Sequence, residues 1–191
     1  MAIILNLDPD WPLTEKHPVY WAALGRFVHR FALLERQIHY LLQLWAGMKQ
    51  EPAQVLLAGV KASAAVDMIP KLRASAGRGF DEDLKRAFEH YKRINSVRNL
   101  IVHFAAILER DAFVARDGKR PPHEDRVVAV QPDTLDAMTD DLQTIAATLF
   151  VSQCEANGAP IESFKTDWRE VGRAAFRFNP ADVRLPANLQ P

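Results

Sequence analysis

The sequence predicts a mainly α protein: a four-helix up-down bundle with a β-hairpin inserted before the last long helix. Two observations lead there. Apolar residues recur at the three-and-four spacing of an amphipathic helix along most of the chain between Tyr20 and Glu155. That period is interrupted once, between about 106 and 130, by β-favouring stretches on either side of a polar segment.

The first helix is read from Tyr20 to Trp45, with Leu24, Phe27, Val28, Phe31, Leu34, Ile38, Leu41 and Leu42 as its stripe and Glu35 interrupting it. Glu35 is either a carboxylate at the stripe's edge or an inward acid awaiting a cation. A second helix is expected from Pro52, a favourable first-turn residue, toward Ser75, with a kink or break before Pro70. A third runs from Phe80 to about Phe104, opened by Asp81, Glu82 and Asp83 at its positive end. Its stripe is Leu84, Ala87, Phe88, Tyr91, Ile94, Ile101 and Val102. The hairpin follows, with Asp117 and Gly118 in its polar segment. Asp133 or Thr134 then caps a fourth helix through Leu135, Met138, Leu142, Ile145, Leu149 and Phe150, stopped by Ala156-Asn157-Gly158. Residues 1–157 form the predicted helical domain. Residues 158–191 form a tail with four prolines and a short helix around Trp168 to Phe176, which docks on the body or on a partner.

Composition excludes several function classes. The 191 residues carry 24 Lys plus Arg against 24 Asp plus Glu, so no global field draws the chain to nucleic acid or to an acidic membrane. A nucleic-acid contact has to use a local patch. The single cysteine, Cys154, excludes an intrachain disulfide and a cysteine zinc cluster, and fits a reducing compartment. The start, MAIILNLDPDW, lacks a basic leader and a small-residue cleavage site, and nowhere do 18 apolar residues run together. A cytoplasmic protein without membrane contact is the expectation. No His-Glu-x-x-His, glycine-rich phosphate loop or Gly-x-Ser-x-Gly elbow is present, and neither a metal nor a cofactor is called for.

The chemistry concentrates in INSVRNLIVHF, residues 94–104, where Arg98, Asn99 and His103 interrupt an apolar run. At roughly 100° per residue, Asn99 and His103 share a face, while Arg98 lies closer to the apolar stripe with Asn95 and Val102. The polar groups straddle the seam between core and solvent. Arginine offers a planar, permanently charged fork for phosphate, and histidine exchanges protons near neutral pH. Asparagine orients a ligand hydroxyl or the imidazole. That set suits transesterification of RNA. The competing reading pairs Arg98 with a carboxylate such as Glu35 and makes His103 a cap of the helix C-terminus. Residues 71–98 also hold eight cations, among them Lys85, Lys92 and Arg93, against the four carboxylates Asp81, Glu82, Asp83 and Glu89. That excess is either an RNA-facing patch or a solvated helix face.

Arg98-Asn99-Leu-Ile-Val-His103 resembles the signature of the HEPN family, the higher eukaryotes and prokaryotes nucleotide-binding domains: an arginine, a polar neighbour, and a histidine after four to six positions on a late helix. The segment FALLERQIHYLL resembles the first long helix of many small bacterial members, and the likeness spans about residues 20 to 155. It implies a helical bundle with Arg98 as phosphate binder, His103 as catalytic acid or base, Asn99 as orienting group and Glu35 as a support. It further implies a homodimer whose two motifs face one cleft, a metal-independent ribonuclease of the toxin or defence type, and an antitoxin or other protein as partner. Other members act without catalysis, as binding or assembly modules.

Overall fold

The longest stripe builds the longest helix. In the computed structural model, which describes residues 14–79, 81–109, 112–117, 127–164 and 166–184, helix α1 covers Lys16–Trp45 and buries Phe27, Phe31, Leu34, Ile38, Leu41 and Leu42 almost completely. Val28, expected on that stripe, is 36% exposed, because its angle around the helix carries it past the edge of the buried face. Helix α2 is Gln50–Leu56 and α3 is Ala62–Ser75. The single helix expected from Pro52 to Ser75 is thus two helices, and the break falls at Gly59 rather than before Pro70. Gly59 weakens the helix, and the carbonyl of the next residue, Val60, accepts from His39 Nε2 at 2.7 Å. Pro70 sits inside α3, which continues past it.

Helix α4, Glu82–Phe104, opens on an Asp81 side chain that accepts from the Leu84 amide. Val97 and Leu100 join its buried face, whereas Val102 is 45% exposed. Helix α5, Pro132–Asn157, is capped two to three residues before the expected Asp133 or Thr134. Gln131 is its N-cap and Pro132 fills the first position, where a missing N–H costs nothing; Gly158 closes it in the left-handed conformation. α1 packs on α3 and α5, and α5 also packs on α4 and on the short α6, Trp168–Arg173. The short helix expected around Trp168 to Phe176 ends earlier, at Arg173, so Phe176 lies beyond it.

The expected hairpin is instead a three-stranded antiparallel sheet in the order β1 (Ile107–Glu109), β2 (Ala112–Arg116), β3 (Val127–Ala129). The first β-favouring stretch is long enough to fold on itself, bringing Glu109 opposite Ala112, while Arg116 pairs with Val127 across the polar segment. Gly118 of that segment lies outside the described residues. Side chains alternate: Phe113 enters the main core and stacks on Tyr20 at 3.8 Å, while Ala112, Val114 and Ala129 form a second small cluster.

The described residues after Gly158 pack on the helices. Phe178 and Val183 belong to the main core. Asp141 of α5, 1% exposed, accepts from His90 Nε2 at 2.7 Å and from the amides of Arg177 and Phe178 at 2.7 and 2.8 Å. Phe176 stacks flat on His90 with ring centroids 3.8 Å apart. Arg86 of α4 donates to the Gly172 and Ala174 carbonyls. Among the described residues no helix is long and apolar enough to cross a membrane.

Candidate functional site

The last three turns of α4 carry the candidate residues. Their platform is a pair of rings: Phe31 of α1 stacks on Tyr91 of α4 with centroids 5.5 Å apart. Above it the Arg98 guanidinium carbon lies 5.2 Å from the centre of the Phe31 ring, a cation–π contact on a half-buried side chain. Arg98 Nη1 donates to Asn99 Oδ1 at 3.1 Å, and Nε is buried without a hydrogen-bond partner among the described residues. Among the described residues no carboxylate lies within ion-pair distance of Arg98.

Glu35 is half-buried and forms no ion pair with Arg98. Both groups instead flank Tyr91, whose phenol is raised well above its ordinary range, first by burial and next by the Glu35 charge, with Arg98 opposing. Among the described residues the Tyr91 hydroxyl has no hydrogen-bond partner. His103 is exposed in the last turn of α4 and has no hydrogen-bond partner among the described residues. Two residues on, Ala105 ends the helix at φ 51°, ψ 153°, a conformation that side-chain-bearing residues rarely adopt.

On a helix of roughly 100° per residue, Lys85, Lys92, Asn95, Asn99 and His103 fall within an arc of about 80°, while Arg93 lies on another side. Asn95 is half-buried. The charges of the 71–98 segment are largely engaged. Arg73 is buried over Trp45 and bridges Glu155 at 2.6 Å and Asp81 at 3.4 Å. Lys92 meets Asp67 at 2.6 Å on the surface. Arg86 holds the C-terminal segment, Lys85 has an interaction of its own, and Arg93 is exposed. Asn99 turns toward Arg98 and not toward the imidazole.

Sequence reasoning missed Phe31 as the platform, because a ring on a buried stripe reads as core in either role. It also missed the His90–Asp141 contact, whose partners are 51 residues apart and which no spacing signals. Among the described residues no three His, Cys, Asp or Glu side chains gather as a metal site. No family model, curated protein or solved structure matches the chain.

Proposed function

We propose that the protein is a HEPN-type endoribonuclease that works without a metal, acts as a dimer, and belongs among toxin or defence ribonucleases; the cytoplasm is its proposed site of action. The observation that carries this reading is Arg98 itself. A half-buried arginine held over an aromatic ring, with no carboxylate within ion-pair distance among the described residues, keeps its charge for an incoming phosphate. The exposed His103 stands five residues further along the same helix, open to substrate.

In the reaction the ribose 2′-oxygen attacks the adjacent phosphorus. A P–O2′ bond forms, the P–O5′ bond breaks, the 2′-hydroxyl proton goes to a base and the leaving 5′-oxygen receives one. His103 is suited to either transfer near neutral pH. Arg98 would offset the charge that builds on the phosphoryl oxygens, with Asn99 fixing its fork and Asn95 one turn away. A second copy would bring a second His103 into reach, and the exposed Val102 beside it offers an apolar contact for such a copy.

A second reading, a non-catalytic interaction or nucleotide-binding module, draws on a different observation. The cations Arg73, Arg86 and Lys92 are held by the protein's own groups and leave less of the basic excess for an RNA backbone. The test is incubation of purified protein with mixed RNA in excess chelator, beside His103→Ala and Arg98→Ala. The parent is expected to leave 2′,3′-cyclic phosphate ends, and His103→Ala to lose about 100-fold or more of that rate. Cleavage that His103→Ala retains in full would refute the assignment, as would RNA left intact by the parent.

A further inference from the structure

A second surface carries chemistry of its own. Along the solvent side of α1 run two clefts, of about 550 Å³ against α5 and about 450 Å³ against α2, which share Arg36 and Tyr40 and so form one groove across the helix. Among the described residues, no carboxylic side chain lines either cleft. Arg30 and Arg36 do line it. Both are exposed, and neither has an ion-pair partner among the described residues. Six helix positions separate them by about 9 Å along the axis.

The rest of the lining is aliphatic, with Leu33, Leu34 and Leu142 in the first cleft and Leu57 and Val60 in the second, together with amide side chains, His39 and one tyrosine. Gln37, Gln143 and Gln153 border the first cleft, Gln43, Gln50 and Gln54 the second, and Tyr40 stands 46% exposed where they meet. Two uncompensated cations select an anion, and the length of the groove selects one that repeats its charge along a chain. An exposed tyrosine between them offers a face for a base, and the exposed amides of Gln50, Gln54 and Gln143 match the donor–acceptor pairs on base edges, whereas Gln37, Gln43 and Gln153 donate to backbone carbonyls of the protein itself. An acidic peptide would use the arginines and leave the ring and the amides without a role. We infer that this groove binds a short stretch of single-stranded nucleic acid, with phosphates on Arg30 and Arg36 and a base stacked on Tyr40.

The inference does not rest on the ribonuclease reading. Arg36 and Tyr40 lie about 140° and 180° around α1 from Phe31, the residue beneath Arg98, so the groove and the Arg98–His103 site face away from one another.

The experiment is fluorescence anisotropy with labelled single-stranded DNA of mixed sequence, about a dozen nucleotides long. DNA lacks the 2′-hydroxyl and cannot be consumed by transesterification, so binding here and cleavage at His103 fail or succeed separately. The full chain should bind at low salt. Arg30→Gln with Arg36→Gln should weaken binding about tenfold and lower the slope of log affinity against log salt by about 1.4, two phosphates' worth for a single strand. Tyr40→Ala should weaken it at least fivefold. Arg30→Lys with Arg36→Lys should keep most of it while controlling for folding. Absence of binding by the full chain would overturn the inference. So would a double glutamine variant that binds like the parent, or a poly-glutamate peptide that displaces the DNA at equal charge concentration.

Discussion

Asp141→Ala tests the account of how the C-terminal segment is held. The Asp141 carboxylate is 1% exposed and receives three donors at 2.7 to 2.8 Å: the His90 ring and the backbone amides of Arg177 and Phe178. Alanine removes all three acceptors at once and supplies none. A buried donor left without a partner costs about 1–3 kcal/mol. Arg177 sits at the surface, where water replaces part of what its amide loses, so the His90 ring and the Phe178 amide carry most of the cost: about 3–5 kcal/mol in all. For a chain of 191 residues that corresponds to a fall in Tm of about 6–20 °C. Urea unfolding followed by circular dichroism measures the loss, and limited trypsin digestion locates it. Cleavage after Arg173 and Arg177 should become fast in the variant while the helices stay protected. A loss below 1 kcal/mol with unchanged digestion would refute the reasoning, since the three donors would then have found water without displacing the segment.

Two further expectations follow. Ala105→Gly removes the Cβ from a residue at φ 51° and should raise stability by about 1 kcal/mol in urea unfolding; a loss of stability would show that the conformation carries no strain. Burial pushes the Tyr20 phenol up to about 12, and Tyr91 is raised beyond that range. A group raised in the folded state holds the native form fully below its unfolded value near 10, and that stability is lost as pH climbs through the folded value. Near-ultraviolet phenolate absorbance should therefore lag for both rings and appear together with alkaline unfolding between about pH 10 and 12, and a smooth early titration of all three tyrosines would contradict it.

The helices were legible wherever one face is buried along its whole length. Phe27, Phe31, Leu34 and Ile38 repeat in register because α1 has core on one side only, and Leu135, Met138, Leu142 and Ile145 do the same for α5. Residues at the margin of those stripes were misread: Val28 and Val102 share the spacing but sit where the packing neighbour ends. The break between α2 and α3 depends on His39 reaching Val60, a contact between helices that no local window contains. In the candidate site, the sequence singled out Arg98 and His103 because polar groups in an apolar run are conspicuous. It could not say what Arg98 rests on or that Glu35 stands apart from it, since both depend on how α4 lies across α1.

The contacts of Asp141 join α5 to α4 and to residues 177–178 across 36 to 51 positions of chain. Closing loops of that length costs entropy that only the finished contacts offset, so the segment should dock after the helices have assembled. Interactions absent from the folding transition state govern how fast a protein comes apart rather than how fast it forms. The three bonds on one buried carboxylate thus act as a brake on unfolding, and tightening them would lengthen the lifetime of the native state while leaving its folding rate nearly unchanged.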